Sequence, residues 1–403
     1  NSPCLGKGNS IYARGVDIDG EPWLEPPAMG ADQYVPDNAK GPLAVSIDVR
    51  DTNIPTGFKG SFVAQAQGLI SSSVWDFGDG ITVSNQAYIS HSWSSAGVYT
   101  VRLTGYNDSL PSGVSDTVII KIVNQPVFYV DCESKSPTYP YSSWETAANN
   151  IQDAIDASES SGRLVIVNDG IYDLGGRIVY GQITNRVMLT NRVIVKSMNG
   201  PTETFIVGSG ATRCAYVGSS SVLSGFTLTN GHSSSSGYFN ELGSQNNSGG
   251  GVFCETSGIV SNCVLIGNSA YSGGSASGGM FYYCAFTGNS AVYGGSVYGG
   301  TLYNCSLTNN SAHQGGSVHK SIMYNCTITG NSAQEFGGGT SDSVLYNCTL
   351  VGNSGNYGGG ASRGVLYNCI LRGNLANVYG GGSYNSTLYN CVLTDNSAKT
   401  GGG

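Results

Sequence analysis

Cysteine is the most chemically versatile residue in this sequence, because a thiolate can bind a metal, act as a nucleophile or form a disulfide. The 403-residue chain contains 11 cysteines, and seven of them recur at intervals of 21 or 22 residues. A structural zinc site needs closely spaced cysteines or cysteine together with histidine, and the four histidines show no such spacing. The nearly constant interval instead indicates that these cysteines occupy one repeated structural position. The seven are Cys263, Cys284, Cys305, Cys326, Cys348, Cys369 and Cys391.

Disulfides between successive members of this series are disfavoured by geometry. Strands stacked in register would bring their Cα atoms to about 5 Å, within disulfide range, but parallel in-register side chains have poorly directed Cβ vectors. We therefore predict that these cysteines are reduced and buried as small apolar core residues. The sequence leaves the redox state of Cys4, Cys132, Cys214 and Cys254 open.

Short strands are the elements that must hold this series. Each cysteine is followed two residues later by Leu, Ile or Phe and five residues later by Asn, with a Gly-Gly pair beyond. A fixed period of this length is typical of a solenoid, and Asn and Gly between short apolar runs favour strands and turns. At about 3.3 Å per residue, one period spans roughly 70 Å, enough for three short strands and three corners. The pattern predicts an all-β, right-handed parallel β-helix with 21 to 22 residues per rung.

Asparagine marks two of the expected corners. Asn tolerates the left-handed conformation that a tight corner needs, and Asn side chains stacked at about 4.8 Å can form amide ladders. The Gly pairs fit a third corner where a Cβ would clash. The corner before cysteine contains Asn262, Asn304, Asn325, Asn347, Asn368 and Asn390; the later corner contains Asn268, Asn289, Asn310, Asn331, Asn353, Asn374 and Asn396.

Tyrosine precedes cysteine by two residues in six successive repeats. If that position faces solvent, the rings form an exposed aromatic stripe that could bind a ligand. The alternative is that the rings stack on one another or are covered by their neighbours, and the sequence leaves both open. The six are Tyr282, Tyr303, Tyr324, Tyr346, Tyr367 and Tyr389.

Residues 249 to 403 resemble the short repeats of the chlamydial polymorphic outer-membrane proteins. The Phe-x-x-Asn and Gly-Gly-Ala-Ile motifs of those repeats are similar to Leu307-Thr-Asn-Asn310 and Gly294-Gly-Ser-Val297 here. The resemblance implies a surface-exposed β-helix and specifies no ligand.

A different region lies before the repeats. Trp-Asp-Phe-Gly-Asp-Gly at 75–80 and HSWSSAGVYTVRLTGYND at 91–108 resemble a PKD-type domain, the immunoglobulin-like β-sandwich common in secreted bacterial proteins. The alternation of Tyr99, Val101 and Leu103 with polar residues agrees with a half-buried strand. We place this sandwich at residues 41–125. Turn and core-rim hydrogen bonding is the expected role of Asp76, Asp79 and His91, with calcium or ligand binding as the alternative.

An amphipathic helix is predicted near residues 143–160. Trp144, Ala147, Ile151 and Ile155 share one helical face, and Ser142-x-x-Glu145 forms a capping box. A helix ahead of the first strand resembles the N-terminal plug of pectin-lyase-like β-helices, which covers an otherwise unpaired edge. We therefore place the β-helix, with its capping helix, at residues 126–403.

Residues 1 to 34 resemble the closing segment of bacterial extracellular β-helices, often written Ser-Pro-Cys-x-Asp-x-Gly-Asn followed by Asp-x-Asp-Gly. Gly6 stands where that motif usually has Asp. We predict that residues 1–40 close a preceding β-helix, so that units join head to tail, by covalent continuation or by strand addition. No cofactor is predicted other than calcium, for which Asp17 and Asp19 are the candidate ligands.

Carboxylates give no pattern suited to catalysis. Polysaccharide lyases on β-helices need clustered acids for calcium and a base, and hydrolases need a carboxylate pair. From residue 263 onward the acids are Glu335, Asp342 and Asp395, which do not recur at one position of the repeat. Asp169 and Asp173 flank a turn. The sequence therefore predicts no enzymatic activity.

The amino-acid composition of the chain narrows the classes of molecule that it could bind. Charged residues make up 11% of the chain, the formal net charge is −8 and no basic block occurs, so nucleic acid is excluded as a partner. No apolar run reaches about 18 residues, so no membrane span is expected. We predict a non-catalytic structural repeat module, extracellular or at the cell surface, that assembles with itself as a filament or within a giant surface protein. The alternative is an adhesin or polysaccharide-binding β-helix, and a polysaccharide lyase or glycoside hydrolase is less favoured.

Overall fold

The computed structural model describes residues 39–49, 52–56, 59–124, 126–157, 162–179, 183–190, 192–210, 212–233 and 245–400. The chain divides into two compact units between Asn124 and Gln125. The predicted all-β fold class is confirmed, with a β-sandwich first and a parallel β-helix after it. The closing segment predicted for residues 1–40 falls almost wholly outside the described residues, as do Cys4, Asp17 and Asp19.

The first unit is a sandwich of two sheets. One sheet has the order β1-β3-β6 and the other β2-β8-β7-β4-β5. All pairings are antiparallel except that of β2 with β8. The strands are β1 (Ala44–Val49), β2 (Asn53–Pro55), β3 (Gly60–Gln67), β4 (Ser72–Asp76), β5 (Thr82–Ser84), β6 (Tyr88–His91), β7 (Gly97–Asn107) and β8 (Leu110–Val123).

Four large aromatic residues form the centre of the sandwich. Phe62, Trp75, Phe77 and Trp93 are at most 1% exposed, and the ring of Phe62 lies 5.7 to 6.2 Å from the other three. The Nε1 of Trp75 donates to the Gln86 carbonyl at 2.8 Å, and that of Trp93 to the Phe77 carbonyl at 3.1 Å. The only polar atoms of the buried indoles are thus satisfied.

The second unit begins with β9 (Val127–Val130), a 3-10 turn (Trp144–Thr146) and α1 (Ile151–Asp156). The predicted capping box at Ser142-x-x-Glu145 is wrong. Ala147 has an extended ψ of 142°, which ends the first turn. The α-helix begins only at Ile151, where the Asn150 side chain accepts from the Asp153 N–H. α1 packs Ile151 and Ile155 into the core of the β-helix.

The less regular early rungs follow α1. Their strands are β10 (Leu164–Val167), β11 (Gly170–Tyr172), β12 (Arg177–Ile178), β13 (Thr184–Leu189), β14 (Ile194–Ser197), β15 (Thr204–Val207), β16 (Arg213–Val217), β17 (Val222–Ser224), β18 (Thr227–Thr229) and β19 (Val252–Cys254). Apart from the antiparallel pair β12–β13, these strands pair in parallel with their counterparts one rung away.

The regular rungs repeat four short strands without interruption. They are β20 (Ile259–Ser261), β21 (Val264–Ile266), β22 (Ser269–Ser272), β23 (Ala276–Ser277), β24 (Met280–Tyr282), β25 (Ala285–Thr287), β26 (Ser290–Tyr293), β27 (Val297–Tyr298), β28 (Thr301–Tyr303), β29 (Ser306–Thr308), β30 (Ser311–Gln314), β31 (Val318–His319), β32 (Ile322–Tyr324), β33 (Thr327–Thr329), β34 (Ser332–Phe336), β35 (Thr340–Ser341), β36 (Val344–Tyr346), β37 (Thr349–Val351), β38 (Ser354–Tyr357), β39 (Ala361–Ser362), β40 (Val365–Tyr367), β41 (Ile370–Arg372), β42 (Leu375–Tyr379), β43 (Ser383–Tyr384), β44 (Thr387–Tyr389), β45 (Val392–Thr394) and β46 (Ser397–Thr400).

Four strands per rung correct the expected three. The segment between the later Asn corner and the Gly pair, such as β30, forms a seven-stranded sheet of its own beside sheets of 11, 10 and 10 strands. A fourth left-handed corner, at Lys320 (φ 52°) in one rung and Arg363 (φ 54°) in another, leads into the next rung. Apart from the half-buried Leu388 and Leu393 in the last strands, the inward leucine rows, including Leu302 and Leu307, are fully buried, and together they form one continuous core.

Candidate functional site

The seven cysteines form a buried row, here called the Cys ladder. All ten described cysteines are free thiols. The Cys326 N–H points to Sγ of Cys348 at 3.4 Å, and the Cys326 thiol points back to the Tyr324 carbonyl at 3.3 Å. Burial raises the pKa of Cys263 above its ordinary value and that of Cys254, outside the ladder, to about 12. At these two cysteines burial therefore disfavours the thiolate that a nucleophile or a metal ligand requires.

The later Asn series forms a second buried row, the Asn ladder, which runs from Asn268 to Asn396. In each step one Oδ1 receives two hydrogen bonds from the rung before it. The Asn310 N–H and the Asn310 Nδ2 both donate to Asn331 Oδ1 at 2.9 Å, and Nδ2 also reaches the Phe286 carbonyl at 3.1 Å. Every amide in this row is thereby engaged in holding one rung to another.

The Asn corner before cysteine is exposed and has the left-handed backbone expected of it. Asn304, Asn325, Asn347 and Asn368 each have φ 54°, and Asn390 has φ 51°. The last four are linked by amide hydrogen bonds of 2.8 to 3.3 Å.

The Gly-pair corner is set by a close approach between backbones. Gly315 has φ 64°, and a Cβ on Gly316 would overlap the carbonyl oxygen of Gly338 in the next rung. Any side chain at the second glycine would therefore separate the rungs.

The six tyrosines form a continuous parallel stack, here called the Tyr stack. Adjacent ring centroids are 4.8 to 4.9 Å apart, with interplanar angles of 4° to 7°. The rings are half-buried, and only Tyr389 at the end reaches 51% exposure. Because each ring face covers its neighbour, the stack presents edges and hydroxyls to solvent. Ligand binding by these tyrosines stays a prediction.

A second aromatic surface was missed by sequence reasoning. Phe336, Tyr357, Tyr379 and Tyr384, here called the aromatic patch, pack with ring centroids 5.1 to 6.4 Å apart. The first three each stand immediately before a Gly pair. That recurrence is the sequence signal that could have found the patch.

A group of polar side chains adjoins the patch. The polar cluster, which consists of Arg363, Asp342, Gln314 and Glu335, connects three successive rungs. The guanidinium of Arg363 lies 4.3 Å from the Phe336 ring centroid, 3.0 Å from Asp342 Oδ2 and 3.2 Å from Gln314 Oε1. Gln314 Nε2 donates to Glu335 Oε2 at 3.0 Å. Glu335 and Asp342 occupy different positions of the repeat, yet both side chains lie at this one surface.

The other acidic candidates have structural partners. Asp76 Oδ1 accepts the Gly78 N–H at 2.9 Å, and Asp79 Oδ2 bonds His91 Nε2 at 2.7 Å. The ring of His91 stacks on Phe77 at 4.1 Å. These contacts are the turn and core-rim hydrogen bonds expected of the three residues. Among the described residues, no group of three or more His, Cys, Asp or Glu side chains is placed to hold a metal ion.

Residues 41–122 match the family model of the PKD domain. A solved structure, the crystal structure of pectate lyase Pel9A, is similar to this chain at 14% sequence identity, with a TM-score of 0.36, over 68% of this chain and 70% of that one. This similarity supports no conclusion about activity. No curated protein matches the sequence.

The described part of the chain has no helix that is long and apolar enough to cross a membrane. PKD domains are typical of extracellular proteins, and the match at residues 41–122 agrees with a surface module.

Proposed function

We propose that this protein is a non-catalytic structural module of the extracellular surface, in which a PKD domain precedes a stiff β-helical rod. One observation supports the proposal above all others. The residue types that could do chemistry are used in contacts from rung to rung: thiols in the Cys ladder, amides in the Asn ladder and phenol rings in the Tyr stack.

Stiffness follows from the way these rows combine. Each rung is held to its neighbours by four parallel strand pairings, as β28 to β31 are to β32 to β35. The Asn ladder adds side-chain hydrogen bonds inside the core, and the Tyr stack adds ring contacts outside it. Bending the rod would strain all of these at once, since solenoid stability is the sum of repeat and neighbour terms.

The acids of the regular rungs support a non-catalytic role. Glu335 accepts from Gln314, Asp342 pairs with Arg363, and Asp395 lies 3.4 Å from the Arg372 guanidinium. Each acid therefore has a separate partner of its own on the surface.

The proposal extends to head-to-tail assembly. β43, β44, β45 and β46 are the terminal strands of the four sheets. Leu393 on β45 is half-buried, whereas its counterpart Leu371 one rung earlier is fully buried. A further rung, from the same polypeptide or from another copy, would bury this row and pair the strand edges. Contacts of this heterologous kind propagate as a filament unless they close into a ring.

Assembly is testable on the full chain. Sedimentation velocity over a concentration series, with electron microscopy of the same samples, should show rods that lengthen end to end. Leu393→Glu should suppress the rods, because it places a charge in the row that the next rung covers. Thr394→Glu is the matched control, since Thr394 is the exposed neighbour on the same strand. A monomer at high concentration, or equal rods from both variants, would refute self-assembly.

Deletion of residues 1–34 tests the predicted partner surface separately. If that segment completes the edge of another unit, the shortened protein should remain folded and lose the long assemblies. Unchanged fibres would show that residues 1–34 are not the joining segment.

A further inference from the structure

The aromatic patch differs from the Tyr stack in what its rings offer to solvent. Rings in the Tyr stack are parallel within 4° to 7°, so neighbours occupy their faces. In the patch the interplanar angles are 22° to 47°, and Tyr379 is 45% exposed. Tilted rings from β34, β38, β42 and β43 therefore leave part of their faces open. An exposed ring cluster of this kind marks a binding surface.

The polar cluster beside the patch is electrically balanced once Lys320, at the corner one rung before Asp342, is counted with it. Arg363 and Lys320 supply two positive charges, while Asp342 and Glu335 supply two negative charges. His319 lies 3.5 Å from Asp342 Oδ2, and burial lowers the pKa of His319 to about 4, so its ring is neutral at neutral pH. A partner that needs both donors and acceptors, and carries no net charge, suits this surface.

Three buried polar atoms at this place have no hydrogen-bond partner. They are Nε of Arg363, Oγ of Ser362 and Nδ1 of His319, and the last of these faces Asp342 Oδ2 at 3.5 Å. His319 is 4% exposed and Ser362 is fully buried. Leaving a buried polar group unsatisfied is energetically unfavourable. Ser362 is the register partner of Tyr384 and of Ser341, so it lies between the patch and the cluster. These three atoms have almost no exposed area, so the donors and acceptors that a bound hydroxyl can reach are on the half-buried side chains of Gln314, Glu335 and Arg363.

We propose that the aromatic patch and the polar cluster together bind an uncharged glycan chain. The rings of Tyr379 and Tyr384 pack on the apolar C–H faces of the sugars, and Gln314, Glu335 and Arg363 take the hydroxyls at the ring edges. The patch spans three rungs, about 10 Å at the spacing of stacked strands, which leaves room for a short stretch of chain. This site meets the edge used in the proposed self-assembly only at Tyr384 on β43; its other residues lie on earlier strands and corners.

The test uses the full chain and four named probes. These are hexamers of β-1,4-linked glucose, α-1,4-linked glucose and β-1,4-linked N-acetylglucosamine, with a galacturonic acid hexamer as the charged counterpart. Saturation-transfer NMR and titration calorimetry should detect binding of at least one neutral hexamer. The affinity should change little between low and moderate salt, because no net charge is neutralised.

Variants assign the binding to the patch. Tyr379→Ala and Tyr384→Ala should each weaken binding roughly 5- to 10-fold, as expected for loss of one aromatic contact. Tyr379→Phe should retain binding because it keeps the ring. Tyr346→Ala, which removes a half-buried ring from the Tyr stack, is the matched control and should leave the affinity unchanged. Near-ultraviolet circular dichroism on each variant separates loss of binding from loss of fold.

Several outcomes would overturn the proposal. These are no binding of any neutral hexamer, tighter salt-sensitive binding of the galacturonic acid hexamer, or full binding by folded Tyr379→Ala. Two other occupants are checked in the same samples. Dimerisation that Tyr379→Ala abolishes would identify the patch as an interface between copies. Saturation of the patch by a proline decamer would identify a peptide site, since aromatic surfaces also recognise extended proline-rich segments.

Discussion

The PKD domain and the β-helix bury their cores in opposite ways. The sandwich closes around four large rings of different shape, with Phe62 on β3, Trp75 on β4, and Phe77 and Trp93 just beyond the ends of β4 and β6. The β-helix instead stacks aliphatic side chains of similar size, such as Leu302 above Met323 and Leu345, in register. The core of the sandwich therefore depends on a few large side chains of particular shape. The core of the β-helix depends on repetition, and its stability is distributed along the rod.

The largest expected effect is in the sandwich. Trp75→Ala should destabilise the PKD domain by about 3 to 5 kcal/mol, because a fully buried large ring leaves a cavity that the two sheets cannot fill. Thermal unfolding of the full chain should show the sandwich transition moving down while the β-helix transition stays in place. Tyr88→Ala, at a 76% exposed ring, is the control and should move neither transition. Equal movement of both transitions would show that the Trp75 side chain stabilises both units alike, contrary to this expectation.

A change inside the Asn ladder should be smaller and local. Asn331→Ala removes the acceptor of the Asn310 N–H and Nδ2 and the donor to the Leu307 carbonyl. We expect a loss of about 2 to 4 kcal/mol from these unsatisfied buried groups. Hydrogen exchange should speed up in the neighbouring rungs alone. Asn377→Ala is the control, because the Asn377 amide bonds Asn356 on the exposed surface. Uniform loss of protection along the β-helix would contradict distributed stability.

Substitution at the exposed Asn corner should change the free energy of unfolding by less than the two substitutions above, through the backbone conformation of the corner. Asn347 has φ 54°, so Asn347→Val should be less stable than Asn347→Gly by about 1 to 2 kcal/mol. Both variants lose the same amide contacts, and urea unfolding of the pair isolates the backbone term. Equal midpoints would show that the left-handed conformation does not select the residue at this corner.

The smallest expected effect is pH-dependent and confined to the PKD domain. Burial tends to raise the pKa of Asp79, but hydrogen bonds from His91 and the Ile81 N–H outweigh it, and the net shift is downward. The stabilisation is therefore fully present above the unfolded-state pKa, near 4, and is lost as the pH falls through the lower folded-state value.

We expect Asp79→Asn to remove on the order of 0.5 kcal/mol at pH 7. It should also flatten the acid limb of the sandwich melting curve. A variant whose melting temperature still falls below pH 4 with the original slope would exclude Asp79 as the source.

The periodic features could be predicted because every rung repeats the same constraint. Asn304 and Cys305 recur in most rungs, so their corner and their buried position follow from the interval alone. The fourth strand was missed because Ser311–Gln314 has no apolar alternation that would distinguish a strand from a loop. The start of α1 was missed because the cap is Asn150, whose side chain accepts from the Asp153 N–H, and Asn150 lay outside the expected box.

The polar cluster could not be predicted from the repeat. Asp342 and Arg363 belong to the cluster, and His319 lies beside it. Each of these residue types occurs only once at its position of the repeat, and the parallel stacking of rungs brings the three side chains within contact distance. A repeat pattern identifies what is shared between rungs and is insensitive to single exceptions. The aromatic patch lies between these cases, because Phe336, Tyr357 and Tyr379 repeat before the Gly pairs while Tyr384 comes from another sheet.

The Asn ladder also makes the rod polar, so that its two axial directions differ chemically. From Asn268 to Asn396, each backbone N–H donates forward to the next Oδ1, and no step of this series reverses. The amide dipoles of the core therefore add along the axis, so its two directions are inequivalent, as the barbed and pointed directions of a polar polymer are. A unit stacked on such a rod can continue the series in only one orientation. Inversion of a single unit would set donor against donor at the joint.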